Sequence, residues 1–368
     1  MKTIIILAIF CFGMIAQAKD IDYYLSLAGV NRLELETAIK EVPSYQSKGM
    51  NWLIKHMPED DLKILSAEFL LENCLLAYEA IEKTPWQSNI PEEIFFDAIL
   101  PYASLNEKRD NWRSAFNKKF FPLVQSSGSA YEAATLLNKK IFKELGVIYS
   151  TKRPKADQSP YESIEAGMAS CTGLSIILID ACRSVGIPAR FVGTPMWYNN
   201  SGNHSWVEIW DDGWNFTGAA EPTEDKLNSV WFSELAIKAI KGDMKYGIFA
   251  VTWNNTNNYF PMDWLPEVKT YRSFDVTSRY ASETKNHSLV PIRIKVINMH
   301  GQRESADVVI KGQENFIYKG RSKGETFDSN DHLTVMLPLG QVFTIESGGD
   351  AKVLNVKSEQ LISLKLNN

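Results

Sequence analysis

The chain has 368 residues, of which 45% are hydrophobic and 23% are charged, and its formal net charge is -5. This length exceeds what one ordinary hydrophobic core serves, so we expect two or three domains of a globular protein. The acidic balance, with no basic cluster among aromatic residues, excludes nucleic acid as an expected partner.

The N-terminus has the pattern of a secretory signal peptide. Lys2 precedes an apolar run over residues 4–15, and Ala16-Gln17-Ala18 provides a small-x-small cleavage site before Lys19. The apolar run is shorter than the roughly 18 residues that span a membrane. We therefore predict a signal peptide over residues 1–18 and an exported protein, periplasmic or secreted, with no integral membrane segment in the mature chain.

Residues 19–150 read as a helical region. Apolar residues recur at steps of three and four within residues 60–83, and Pro91 with two glutamates indicates a second helix start. The segment 129–146 begins with a capping box, Ser129 to Glu132, and ends at Gly146. Since no reactive constellation stands out here, we expect these helices to pack against or cover the rest of the protein.

Residues 151–280 change from helices alone to a helix followed by strands. A helix starts at Cys171 and ends at Gly186, and residues 189–197 indicate a strand. Asp212-Gly213 is a tight-turn signal between two aromatic-rich runs, which predicts a β-hairpin over residues 204–218.

Residues 287–368 read as one short strand after another with Gly-rich or polar turns between them, a spacing typical of a small antiparallel β-sandwich. We find no cluster of histidine, cysteine and carboxylate in this region. It is therefore predicted to be an accessory domain.

Three cysteines remain once the signal peptide is removed, namely Cys74, Cys171 and Cys182. An odd number of cysteines in an exported protein leaves at least one thiol unpaired. A disulfide between Cys74 and Cys182 is one possibility that the sequence does not decide. Cys171 heads a helix, where unpaired N–H groups stabilise a thiolate and can bind a developing oxyanion. Cys182 lies inside the apolar helix and is assigned to the core.

A nucleophilic cysteine needs a base, and His204 is the one histidine in the region of Cys171. It opens a strand on which residues 204, 206, 208 and 210 share a face by alternation. The expected substrate groove is formed by Trp206 and Glu208 from this strand and Trp214 from the next.

The segments "GMASCTGLSIILIDACRSVGIPARFVG" and "NHSWVEIWDDGWNFTGAAEPT" resemble the core of the transglutaminase-like superfamily over residues 160–225. The resemblance implies an α+β fold in which a cysteine-bearing helix packs on an antiparallel sheet, preceded by the helical region and followed by the β-sandwich. It also implies a Cys-His-Asp triad, with Cys171 as the nucleophile and His204 as the general base and acid.

The third member of the triad departs from the family pattern. The position of the family aspartate falls at Gly218, and Glu221-Pro222-Thr223 follows three residues later. Glu221 is the expected residue that orients His204, and Asn215 is the alternative, because an amide can also hold an imidazole tautomer.

The resemblance implies amide-bond chemistry through a thioester. The substrate would be a peptide, protein or glycoprotein, and the reaction hydrolysis by a cysteine peptidase or amidase, or transglutaminase-type acyl transfer. Two alternatives remain: a non-catalytic peptide- or glycan-binding protein, and a deglycosylase like the peptide N-glycanases. The sequence has no HExxH, CxxC or phosphate-binding loop, so we expect neither a metal nor a cofactor.

Overall fold

A computed structural model describes residues 20–281, 289–313 and 316–366. The predicted signal peptide, residues 1–18, lies outside these residues. Among the helices that the structure describes, none is long and apolar enough to cross a membrane.

Within the described ranges, eight α-helices precede the first strand and four lie further along the chain. They are α1 Ile21–Leu27, α2 Arg32–Glu41, α3 Ser47–His56, α4 Glu59–Leu62, α5 Ala67–Glu82, α6 Glu92–Ala98, α7 Arg113–Val124, α8 Ala130–Leu145, α9 Pro160–Ala166, α10 Cys171–Ser184, α11 Ser233–Ala236 and α12 Thr277–Tyr280.

Local capping explains where these helices begin and end. The periodic stretch 60–83 is divided into α4 and α5, because the Ser66 hydroxyl accepts from the Phe69 N–H and starts a new helix. The α8 helix begins where the sequence predicts, with Ser129 accepting from the Glu132 N–H, but the Glu132 carboxylate accepts from the Gly128 N–H, so the predicted capping box is only half formed. The complete capping box belongs to α9, between Ser159 and Glu162.

The strands of the described residues number fourteen and form four sheets. They are β1 Ile148–Tyr149, β2 Met168–Ala169, β3 Ala189–Thr194, β4 His204–Trp210, β5 Trp214–Thr217, β6 Phe249–Val251, β7 Ser273–Asp275, β8 Leu289–Ile297, β9 Asp307–Lys311, β10 Ile317–Arg321, β11 Leu333–Pro338, β12 Val342–Ser347, β13 Asp350–Asn355 and β14 Gln360–Lys365.

The central sheet has five antiparallel strands in the order β5-β4-β3-β6-β7. The α10 helix packs on β3 and β4, and α7 and α8 pack on α10. One apolar core joins Phe120 and Leu137 of these outer helices with Ile176 of α10 and Phe191 of β3. This core crosses residue 150, so the predicted domain boundary there stays a prediction, while the α+β class with a cysteine-bearing helix on an antiparallel sheet is confirmed.

The C-terminal strands form two facing sheets, β10-β9-β12-β13 and β11-β8-β14, which enclose a core of their own. All pairs are antiparallel except β14 with β8, which is parallel. This sandwich, residues 289–366, contacts the central domain through polar side chains. Glu359 accepts hydrogen bonds from the Tyr198 hydroxyl, from Asn199 Nδ2 at 2.9 Å and from Lys238 Nζ at 3.1 Å.

A buried arginine ties α10 to the segment before α7. The guanidinium of Arg183, 2% exposed, donates to the backbone carbonyls of Ala98, Pro101, Ala103 and Ala189 at 3.0–3.2 Å. Buried carbonyls need a donor because water does not reach them. Pro101 also accepts from Arg113 Nη2 at 3.1 Å, so the carbonyls that depend most on Arg183 are those of Ala98, Ala103 and Ala189.

We predict that Arg183→Met lowers the free energy of unfolding by about 3 kcal/mol, because it leaves several buried carbonyls without a donor. Urea unfolding followed by circular dichroism measures the change. Arg321→Met is the matched control, since Arg321 lies on β10 with 65% of its side chain exposed. Equal stability of the two variants would contradict a structural role for Arg183.

Candidate active site

Cys171 occupies the first position of α10. Its preceding residue, Ser170, has an extended backbone and caps the helix by accepting from the Gly173 N–H at 3.1 Å. The thiol is therefore held at the positive end of a helix of 14 residues, where a thiolate is stabilised. Cys171 is partly exposed, whereas Cys74 and Cys182 are buried; all three are free thiols.

Burial makes Cys74 and Cys182 poor nucleophiles. Desolvation raises the pKa of the Cys74 thiol to about 12, and it also raises the pKa of the Cys182 thiol. Cys182 thus lies in the core as predicted, and Cys171 is the candidate nucleophile among the described cysteines.

His204 begins β4 opposite Thr194 of β3 and is 1% exposed. Its ring packs against Trp231 and Phe232, with ring centroids 4.9 and 4.8 Å away. Next to it, a hydroxyl pair at 3.1 Å, Thr172 with Ser205, links the start of α10 to β4. This contact holds Cys171 and His204 next to each other although they lie on different elements.

A carboxylate lies at each nitrogen of the His204 ring. Glu221 Oε2 is 3.7 Å from Nε2, and Asp328 Oδ2 is 3.6 Å from Nδ1. Donor atoms of Cys171, His204 and Asp328 lie within 4.8 Å of one another. Desolvation lowers the pKa of His204, but the charges of Glu221 and Asp328 outweigh it and hold that pKa well above its usual value.

Glu221 occupies the space that a side chain at position 218 would need. A Cβ atom on Gly218 would lie 1.9 Å from Glu221 Oε2. The Trp231 indole N–H donates to the same oxygen at 2.8 Å and fixes it beside the imidazole. The structure therefore brings Glu221 to His204, where we predicted the orienting residue, and Gly218 leaves the room for it.

Asn215, the alternative orienting residue, lies away from His204. It pairs with Ile209 in the middle of the hairpin, and its amide is engaged with the Gly213 carbonyl and with Asn228.

The structure places none of the three predicted groove residues along an open surface beside the Cys171–His204 pair. Trp206 and Glu208 do share a face with His204, but both are 0% exposed. Trp206 stacks within an aromatic core that includes Trp197 and Phe232, and Glu208 is ion-paired with Arg190 at 2.6 Å. This face of β4 is covered by side chains from earlier and later parts of the chain, so it forms a core and cannot line a groove.

Trp214, the third groove residue, is half-buried and contacts a different partner. It pairs with Trp210 at the end of the hairpin remote from His204, and its ring lies 3.7 Å from the Arg190 guanidinium. This position favours cation–π packing and gives no contact with the Cys171–His204 pair.

Asp328 is the site residue that the sequence analysis missed. It follows β10 in the sandwich, where no reactive cluster was expected, and it is 3% exposed. The Asn330 N–H donates to its Oδ1 at 2.9 Å. Burial raises the pKa of Asp328, but the His204 charge and this hydrogen bond outweigh burial and lower it, so Asp328 is an anion. An Asp-Ser-Asn-Asp segment reads as an ordinary turn, and no sequence signal links it to His204.

The arrangement supports two kinds of chemistry. A thiol at a helix N-terminus beside a histidine flanked by carboxylates can act as a nucleophile, with the Cys171 N–H as oxyanion donor. The sulfur of Cys171, a ring nitrogen of His204 and a carboxylate oxygen of Asp328 could also bind a divalent cation such as Zn²⁺. The bound metal would keep the sulfur from acting as a nucleophile.

Residues 119–217 match the model of the transglutaminase-like superfamily, which confirms the resemblance found in the sequence. This range contains Cys171 and His204 but ends before Glu221 and Asp328. Among curated proteins, none matches the sequence.

Solved structures with local likeness belong to several kinds of protein. One is a candidate cysteine protease from Cytophaga hutchinsonii, 18% identical over 30% of this chain and 38% of that chain, with a TM-score of 0.27. Another is red sea bream transglutaminase, 9% identical over 77% of this chain and 58% of that chain, with a TM-score of 0.22. A C-terminal fragment of the pilus adhesin SpaC from Lactobacillus rhamnosus GG is 9% identical over 48% of this chain and 88% of the fragment, with a TM-score of 0.18. These low scores do not assign a reaction.

We predict that iodoacetamide alkylates Cys171 near neutral pH while Cys74 and Cys182 stay unmodified in the folded protein. His204→Ala should slow the alkylation of Cys171 about tenfold, because the thiolate loses its imidazolium partner. Peptide mass mapping over a time course gives the rate at each cysteine, and denatured protein provides the control in which all three react. A Cys171 rate that does not respond to His204→Ala would contradict the pair.

Proposed function

Because residues 119–217 match the transglutaminase-like superfamily model, we propose that this protein breaks amide bonds through a thioester, with Cys171 as nucleophile and His204 as general base and acid. The observation that carries the proposal is that the Cys171 sulfur, at the capped N-terminus of α10, lies within 4.8 Å of a nitrogen of the buried His204 ring, which has a carboxylate at each nitrogen. A merely structural cysteine would need neither the histidine nor the carboxylates.

The reaction starts from a thiolate–imidazolium pair, in which the Cys171 proton lies on His204, because Glu221 and Asp328 hold the pKa of His204 well above its usual value. The thiolate attacks the amide carbonyl carbon, and the oxyanion is stabilised by the helix N-terminus. His204 then donates its proton to the departing amine or ammonia as the C–N bond breaks, which leaves a thioester on Cys171. Water attacks the thioester as His204 takes its proton, and the products are a carboxylic acid and the restored thiol.

We infer that Glu221 orients His204 and stabilises its charged form. Its carboxylate lies 3.7 Å from Nε2 and is fixed by Trp231. Hydrolysis of a peptide or side-chain amide is the favoured outcome, and acyl transfer to a lysine amine is the second. The two reactions share every step up to the thioester, so the same residues serve both. The residues offer no preference for a glycopeptide amide. In line with the signal-like sequence of residues 1–18, the proposed site of action is outside the cytoplasm.

A binding protein without catalysis is the competing function. The observation in its favour is that His204 is only 1% exposed, which restricts the approach of a substrate to the partly exposed side of Cys171.

We predict that Cys171→Ala abolishes turnover and leaves the fold unchanged. Glutamine-containing peptides and a casein digest, incubated with a fluorescent primary amine, report cleavage, deamidation and amine incorporation by mass spectrometry. The substitution removes only a sulfur atom at a helix end, so circular dichroism and unfolding should match wild type. Turnover that persists in this variant would refute the mechanism, and no turnover in wild type would favour the binding protein.

We predict that Glu221→Ala lowers kcat at least tenfold and that the double variant Gly218→Asp/Glu221→Ala recovers part of the loss. A carboxylate grown from position 218 enters the space that Glu221 Oε2 occupies, because a Cβ on Gly218 points 1.9 Å from that oxygen. Gly218→Asn/Glu221→Ala is the matched control, since it fills the same space without the charge. Equal activity of the two double variants would show that the carboxylate at this position does not act on His204.

A further inference from the structure

The sandwich places a charged side chain next to the candidate nucleophile. Asp328 Oδ2 lies 3.6 Å from His204 Nδ1, and a carboxylate oxygen of Asp328 is within 4.8 Å of both the Cys171 sulfur and the histidine. Glu221 approaches the opposite ring nitrogen. Asp328 is therefore close enough for its charge to act on any group that approaches the Cys171 sulfur.

The segment that carries Asp328, residues 327–332, is fixed from both sides. Arg303 of the sandwich donates to the backbone carbonyls of residues 327, 328 and 331 at 2.7–3.1 Å. Towards the central domain, Asn330 Nδ2 donates to the Asn203 carbonyl at 3.1 Å, immediately before His204, and the Ser329 N–H donates to the Tyr149 hydroxyl at 3.1 Å. Asp328 is thus held in place by contacts that do not depend on its own carboxylate.

The two charged side chains that lie against the His204 ring are both carboxylates. Asp328 is an anion, and Glu221 is the second carboxylate at the ring, so carboxylates outnumber the single imidazolium. Two cations lie further from the ring: Arg303 binds backbone carbonyls of this segment and its charge also lowers the pKa of Asp328, and Lys323 lies 3.6 Å from Asp331. Fields from buried charges are screened little by solvent, so an anionic group that approaches Cys171 meets an appreciable repulsion.

We propose that Asp328 is a specificity-determining residue, supplied by the C-terminal sandwich, that admits substrates with a neutral or cationic group beside the reacting carbonyl and rejects anionic ones. The proposal rests on the proposed function, since it assumes that Cys171 is the nucleophile. It assigns the sandwich a part in the active site in addition to its contacts with the central domain.

The test compares three methanethiosulfonate reagents that differ in charge: a neutral methyl reagent, an anionic ethylsulfonate reagent and a cationic ethyltrimethylammonium reagent. Each rate of Cys171 modification, read by mass spectrometry of the intact protein, is divided by the rate with N-acetylcysteine amide. In wild type, the cationic reagent should then react about tenfold or more faster than the anionic one. Asp328→Asn should reduce this ratio about tenfold.

Asp307→Asn is the matched control, because it makes the same change on β9 of the same domain, where 84% of the Asp307 side chain is exposed; its ratio should equal that of wild type. The neutral reagent reports whether Cys171 stays reachable and the variant folded. Should Asp328→Asn fail to fold, the ratio in wild type decides: a cationic reagent that reacts no faster than the anionic one would overturn the inference.

The outcomes separate this inference from the function on which it rests. A normal rate with the neutral reagent and a ratio that Asp328→Asn leaves unchanged would overturn the role of Asp328 alone. No reaction of Cys171 with the neutral reagent would overturn the proposed nucleophile and the inference together.

Discussion

The site depends on one electrostatic constraint, which is that the imidazole of His204 is buried among aromatic rings and can carry a proton only next to negative charge. Burial by itself opposes the imidazolium, and Glu221 and Asp328 reverse that effect at the two ring nitrogens. Each of these partners comes from a different part of the chain. The hairpin, the loop after it and the sandwich must therefore all be in place before His204 can act as the base for Cys171.

The loop after the hairpin supplies one of these carboxylates from position 221 in place of position 218. Glu221 reaches the imidazole from three residues beyond the end of the expected strand pattern, and Gly218 leaves empty the volume that its carboxylate takes. Any side chain at 218 would collide with Glu221, so the two positions form one unit. The Trp231 indole completes it by holding the carboxylate oxygen at 2.8 Å.

Local signals in the sequence were enough to place Cys171 at a helix start and His204 at a strand start, because caps and turns are encoded by neighbouring residues. Alternation also placed Trp206 and Glu208 correctly on the His204 face. It could not tell that Phe232 and Tyr280 bury that face, since what covers a strand depends on distant segments. Asp328 was missed for the same reason.

The position of Asp328 changes how the sandwich should be regarded. A domain that only docks could be exchanged for another with a similar surface, provided that contacts such as those of Glu359 were kept. A domain that delivers a buried carboxylate to within 3.6 Å of the candidate base cannot be exchanged in this way, because its position against the central domain determines the charge beside the nucleophile. The hydrogen bond from Asn330 to the carbonyl of Asn203, the residue before His204, fixes that position. The fold therefore couples the docking of the sandwich to the electrostatics of Cys171 and His204.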